Sequence, residues 1–233
     1  ISILPVGETV FAATSTYANT TGSTTVLNLN QASPVNLVWQ ETRQDSGFVH
    51  SDSVNPEEIT ISDPGVYMVH INVPMTSVDT AQRPNVLARV LLDGTEVPGG
   101  QFMQGYIRGS TQTGDGDASI HWSGVVVSTT TDQILTITTE QESDASEIRI
   151  TSGAGASIFI QQLPASEVLV ARGTQLTTSS NEWNPATAAA VEWETQDQYD
   201  ITKYEHSTTT SPEDILLREA GDYLLSISTA YTN

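Results

Sequence analysis

Apolar and polar residues alternate along most of this chain with the two-residue period of a half-buried β-strand. In residues 66–73, VYMVHINV, alternation puts Val66, Met68, His70 and Asn72 on one face and Tyr67, Val69, Ile71 and Val73 on the other. The same alternation, or a run of β-branched residues, predicts strands over 6–16, 35–40, 48–50, 59–61, 66–73, 85–92, 95–97, 102–108, 119–128, 133–140, 147–151 and 157–162. Residues 20–33 read as a polar loop with a short apolar piece at 26–29, and 110–119 as a polar, glycine-bearing loop. Asp93-Gly94 is a strong hairpin dipeptide between two of the runs. No apolar stripe with helical period exceeds two turns, so short strands follow one another directly, which predicts an antiparallel sandwich or barrel.

One element occurs twice. Residues 55–73, NPEEITISDPGVYMVHINV, and 211–229, SPEDILLREAGDYLLSIST, overlay without a gap. Pro56 falls on Pro212, Ile59 on Ile215, Gly65 on Gly221, Tyr67 on Tyr223 and Ile71 on Ile227, always 156 residues apart. Each copy reads as a short strand, an acidic turn closed by glycine and an alternating strand, the glycine being expected to supply left-handed backbone angles. Residues 4–12, LPVGETVFA, echo 163–171, LPASEVLVA, and Trp39 and Trp193 fall at comparable places. Ile1-Ser2-Ile3 reads like Ile158-Phe159-Ile160. The organisation expected is therefore 1–5 as the end of a preceding unit or linker, 6–164 as one complete domain and 165–233 as the first half of a second. Tyr67 and Ile71 should then be buried in the same places as Tyr223 and Ile227.

The ordered motifs resemble those of the C1q/TNF-like jelly rolls. Residues 65–73, GVYMVHINV, are similar to their G-x-Y strand, and 88–97, ARVLLDGTEV, to their L-x-x-N-G hairpin with Asp93 in the Asn position. Residues 123–136, SGVVVSTTTDQILT, resemble their S-G…G-D strand pair, with Thr131 where the family has Gly, and 156–163, ASIFIQQL, sit where the closing strand belongs. The resemblance implies an all-β fold: an antiparallel ten-stranded jelly-roll sandwich, one complete copy plus part of a second. It also implies compact trimers through an apolar face, partners bound by loops, and an absence of catalysis.

Charge narrows the partners. The chain carries 28 acidic and 8 basic residues, a net charge of −20, with Lys203 the sole lysine. Phosphate backbones and anionic membranes are bound through Lys and Arg, so nucleic acid and membrane surfaces are excluded as expected partners. No apolar run approaches the roughly 20 residues needed to span a bilayer. Cysteine is absent, which removes disulfides and cysteine-rich metal sites.

Candidate chemistry is sparse. His50, His70, His121 and His206 stand apart and read as ordinary sheet residues. Asp115 and Asp117 in the loop GDGD, and the group Glu140, Glu142, Asp144 and Glu147, are candidate oxygen ligands for Ca²⁺, although neither continues as a Ca²⁺-binding loop. Solvated loop carboxylates are the simpler reading of both. No nucleophile elbow is present, and GAGAS at 153–157 lacks the lysine of a phosphate loop. Trp39, Trp122, Trp183 and Trp193 are candidates for stacking on sugars, with Trp183 the best placed for an exposed contact and core packing the alternative for the rest. Asn19-Thr20-Thr21 is a formal glycosylation sequon.

No catalytic, cofactor or metal residue is assigned. The expected protein is a non-enzymatic structural assembly module, a homotrimeric phage or virus fibre or capsid decoration, on the virion surface or otherwise extracellular. Its partners would be other assembly proteins and a host-surface glycan or protein. The alternative is a secreted or cell-surface adhesin module.

Overall fold

Alternating apolar residues need two sheets to bury one face each, and the chain supplies them. In a computed structural model the described residues are 9–15, 27–79, 82–104, 107, 116–151, 154–164, 168–173, 175–176, 189–198, 202–221, 223, 225 and 227. They fall into two units, Ile1–Gln162 and Leu163–Asn233.

The first unit is an antiparallel jelly roll. One sheet contains β1 (Val10–Ser15), β3 (Glu41–Ser46), β6 (Gly65–Ser77), β9 (Asp117–Ser128), β11 (Ile148–Ile150) and β12 (Ala156–Leu163). Here β3, β1, β12 and β6 are neighbours in that order, and β9 and β11 also pair with β6. The other sheet contains β2 (Val35–Asn36), β4 (Phe48–Val49), β5 (Ile59–Ile61), β7 (Asn85–Leu92), β8 (Thr95–Gln104) and β10 (Gln133–Ser143), in the order β4-β5-β10-β7-β8 with β2 also on β10. The chain changes sheet at every step from β1 to β4, and again between β5 and β6, β6 and β7, β8 and β9, β9 and β10, and β10 and β11. Those repeated crossings make a jelly roll rather than a meander.

Inward residues of both sheets fill one core. Phe11, Tyr67, Val69, Ile71, Val73, Ile120, Trp122, Ile158 and Ile160 meet Ile59, Ile61, Val86, Val90, Leu135 and Ile137. Each such side chain contributes about 1.5–3 kcal/mol on burial. Asp93 and Gly94 take φ of 50° and 75°, the double left-handed turn that the dipeptide predicts for the β7–β8 hairpin.

Three local expectations change. Residues 35–40 hold only the two-residue β2 as strand; Leu37 and Trp39 still reach the core from irregular backbone, tied by Leu37 N–H to Ile137 O and Trp39 N–H to Pro56 O, both 2.8 Å. The polar stretch ETRQDS is strand β3, which needs no apolar face because its backbone pairs with β1 at the sheet edge. Residues 95–104 form one continuous strand where two were expected. The duplicated glycines also differ from expectation: Gly65 and Gly221 are absent from the left-handed region, which Asn55 (φ 46°) and Ser211 (φ 48°) occupy instead. A Cβ on Gly65 would come within 2.7 Å of Gln162 Nε2, the far end of a long side chain, and 3.3 Å of the Tyr67 ring, whereas a Cβ on Gly221 would come no nearer than 3.9 Å to Tyr223.

The second unit contains β13 (Val170–Arg172), β14 (Gln175–Leu176), β15 (Val191–Glu192), β16 (Thr195–Gln198), β17 (Tyr204–His206) and β18 (Ile215–Leu217). They pair as β13–β16, β14–β15 and β17–β18. Both β1–β3 and β13–β16 carry a register shift, skipping Arg43 in one and Asp197 in the other. The expected matching burial is met on one side alone. Tyr67 and Ile71 are 0% and 3% exposed, whereas Tyr223 and Ile227 are 39% and 57% exposed. The physical reason is cover: β6 lies between β9 and β12, and no described strand of the second unit plays those parts.

Candidate assembly surfaces

Each unit is organised around a proline carbonyl that accepts two hydrogen bonds. Pro56 O accepts the Trp39 N–H at 2.8 Å and the Nε2–H of His50 at 3.1 Å. Pro212 O accepts the Trp193 N–H at 2.9 Å and the Nε2–H of His206 at 3.1 Å. A carbonyl has no proton, so the histidine Nε2 is the donor in both. Nδ1 meets Thr42 Oγ1 at 2.7 Å in the first unit and the Gln196 amide in the second. The neighbouring turns match too: Asn55 O accepts the Glu58 N–H at 2.9 Å, and Ser211 O the Asp214 N–H at 3.0 Å. Tyr67 and Tyr223 donate their hydroxyls to Asp63 O at 2.7 Å and Glu219 O at 2.6 Å. Phe48 meets Tyr67, and Tyr204 meets Tyr223, edge to face with ring centres 5.7 and 6.1 Å apart. Burial, and then the negative charge of Asp63, push the Tyr67 pKa up.

The clasp explains two of the four histidines. The His50 side chain is fully buried against Phe11, ring centres 5.4 Å apart, and serves as a structural donor. His50 and His206 stand 156 residues apart, the offset of the repeated prolines. That spacing is the signal that reading each histidine alone does not reveal.

The second feature is the outward face of the sheet built on β6 and β9. Alternation sends Val66, Met68, His70 and Asn72 outward opposite Val127, Val125, Ser123 and His121 respectively. Two adjacent rows of this face are thus wholly apolar, and the next two are polar. Phe159 extends the apolar part from β12, where it lies opposite Ala12 of β1. His70 stacks over Phe159 with ring centres 6.3 Å apart. Val66 and Met68 are buried, while Val125, Val127 and Phe159 are half-buried. Outward sheet positions facing water are ordinarily polar; here Val125, Val127 and Phe159 are apolar and half-buried.

Three of the carboxylate candidates, Glu140, Glu147 and Asp144, are engaged elsewhere. Glu140 pairs with Arg89, which also reaches Glu96 at 3.2 Å. Glu147 bonds Arg149 at 2.7 Å, and Asp144 Oδ2 accepts the Arg83 N–H at 3.2 Å, while Glu142 is exposed. Among the described residues no three His, Asp or Glu side chains converge on a metal position. Asp117 opens β9 and is exposed; Asp115, Asn19, Trp183, Gly153 and residues 1–5 lie outside the described residues. Trp39 and Trp122 are buried and so are core residues rather than sugar platforms. Trp122 donates Nε1–H to Gly99 O at 2.9 Å and stacks on Phe102. Trp193 is half-buried beside its clasp. No helix among the described residues is long and apolar enough to cross a membrane.

No family model matches this chain. No curated protein matches it. Solved structures similar to it include murine APRIL at pH 8.0, with 11% identity, a TM-score of 0.40, and coverage of 65% of this chain and 97% of that one. Another is the Eiger TNF of S. frugiperda, with 10% identity, a TM-score of 0.43, and coverage of 67% and 92%.

Proposed function

We propose that this chain is a non-enzymatic structural module of jelly-roll beads in tandem. The beads pack in threes through the outward face of the β6–β9 sheet. The assembly serves as a fibre or capsid decoration on a virion surface, docked to other assembly proteins and touching a host-surface glycan or protein through its loops. The observation that carries this reading is the pair of apolar rows, Val66 with Val127 and Met68 with Val125, on the outward sheet face, where Val125 and Val127 stay half-buried. Burying such a face between copies stabilises by about 25 cal/mol for each Å² removed from water. The duplicated proline clasp supports the tandem arrangement, because the same local construction recurs with the same bonds. A net charge of −20 keeps the other surfaces soluble and mutually repulsive.

Light scattering on the purified chain tests the reading, with Val125→Asp/Val127→Asp as the companion variant. The proposal expects a trimer that the variant dissociates. A monomer in both samples would remove it.

A further inference from the structure

The two clasps share their proline end and differ at Nδ1. In the first, Thr42 Oγ1 lies 2.7 Å from His50 Nδ1 and 2.6 Å from Asp52 Oδ1. The same carboxylate oxygen accepts the Thr42 N–H at 3.1 Å and stands 3.4 Å from Nδ1 itself. In the second, Gln196 Nε2 is the neighbour of His206 Nδ1 and also meets the His206 carbonyl oxygen at 3.4 Å, which marks it as a donor. The turns that follow are alike. Ser51 Oγ accepts the N–H groups of Ser53 and Val54 at 3.4 and 3.1 Å, and Ser207 Oγ those of Thr209 and Thr210 at 3.3 and 3.0 Å. Within that shared turn Thr208 stands 156 residues on from Asp52, so the first clasp has a carboxylate where the second has a hydroxyl.

The proton count differs accordingly. In both clasps Nε2 donates its proton to the proline carbonyl, so in a neutral ring Nδ1 has none and must accept. Gln196 supplies the N–H that His206 needs. In the first clasp the Thr42 hydroxyl has one proton, yet Nδ1 and Asp52 Oδ1 both lie within bonding distance of its oxygen. One proton cannot point both ways, so a neutral ring leaves lone pair against lone pair at one of the two contacts. With a second ring proton every contact has its donor: Nε2–H to Pro56 O, Nδ1–H to Thr42 Oγ1, and the Thr42 O–H to Asp52 Oδ1.

We propose that His50, Thr42 and Asp52 form a proton-binding latch, which holds the turn at 51–56 when the ring carries both protons and loosens it when Nδ1 gives its proton up. The His206 clasp, by contrast, closes around a neutral ring. The buried imidazolium is balanced by Asp52, whose side chain is half exposed and leaves the relay open to water. Titratable groups on the surrounding elements are Glu41, Arg43 and Asp45 of β3, Glu57 and Glu58 of the turn, and Tyr67 of β6; β1 has none and brings Phe11. Glu41 pairs with Arg43 at 3.4 Å, Glu58 accepts from Asn55 Nδ2 at 3.1 Å, and Tyr67 donates to Asp63 O. The charge that meets the ring is that of Asp52. A ring that needs its second proton to complete these bonds holds that proton more tightly in the folded unit than in the unfolded chain. The latch is therefore strengthened below neutrality and weakened as pH rises through it. This inference is independent of packing through the β6–β9 face.

The test uses the full 233-residue chain and its Asp52→Ala variant between about pH 5.5 and 8.5, the range in which histidine ordinarily titrates. Ring nitrogen NMR shifts report the protons on His50 and His206. Amide hydrogen exchange, corrected for its intrinsic dependence on pH, reports the turns at 51–55 and 207–211. The proposal expects His50 to carry both protons at the acid end and to lose the Nδ1 proton as pH rises. Protection at 51–55 then falls roughly tenfold over the range, while the turn at 207–211 loses none. Asp52→Ala removes the competing acceptor, so Thr42 serves a neutral ring and the protection at 51–55 stops depending on pH. Asp52 is half exposed, so the fold of the unit does not depend on it. Three results overturn the proposal. One is an Nδ1 of His50 that stays unprotonated at pH 5.5. Another is protection at 51–55 that does not change with pH, or that falls equally at 207–211. The last is a pH dependence at 51–55 that survives Asp52→Ala.

Discussion

His50 donates its Nε2 proton to the Pro56 carbonyl oxygen at 3.1 Å, and His206 does the same to Pro212 at 3.1 Å. One bond so repeated fixes the path of the chain between β3 and β5, and between β16 and β18. It also gives both histidines a reason to be present without chemistry. Replacing His50 by Ala leaves Thr42 and Pro56 each short of a bond and opens a cavity beside Phe11. The expected cost is about 2–4 kcal/mol of stability for the first unit. Urea unfolding followed by tryptophan fluorescence checks it, and a loss under about 0.5 kcal/mol would show the clasp to be incidental.

Gly124 lies under the indole of Trp122, and a Cβ there would overlap the ring. Gly124→Ala should therefore displace Trp122 from its stack on Phe102 and its bond to Gly99 O, costing about 1–3 kcal/mol. A red shift in tryptophan emission together with a lower unfolding midpoint is the expected signature. An unchanged spectrum would mean that the indole yields freely.

Asp93 ties the β7–β8 turn to β10. It accepts the Ile134 N–H and a Gln133 Nε2–H, both at 2.8 Å, and these bonds hold its carboxyl below the usual carboxylate range. A lowered folded pKa stabilises at pH above the unfolded value, and the benefit disappears as pH falls through the folded value. The chain should lose stability on acidification below about pH 4, and Asp93→Asn should flatten that slope while retaining an acceptor for Ile134. Thermal melts of both proteins across pH 2–6 decide it, with parallel curves counting against the role.

The sandwich was legible because strands such as 66–73 alternate and others such as 133–140 are rich in β-branched residues. β3 was not, since ETRQDS lies at an edge where backbone pairing alone suffices. Trp39 and Leu37 looked like strand and are instead core residues on irregular backbone, a distinction that periodicity does not contain. The clasp was present in the spacing of His50 to His206 but invisible to a reading of each histidine singly. The backbone of Gly65 was misread because sequence shows that a side chain is missing without showing the dihedral angles there. The apolar outward rows were half visible: the alternation assigns Val66 and Met68 to one face, but Val125 and Val127 join them only through the β6–β9 register.

The measurement that bears most directly on the proposed assembly is the solution mass of the chain by light scattering, over concentrations from about 1 to 100 μM. The account predicts about three times the chain mass of 25.0 kDa, falling to a single chain in Val125→Asp/Val127→Asp. A mass of one chain throughout, unaltered by that double substitution, would contradict it.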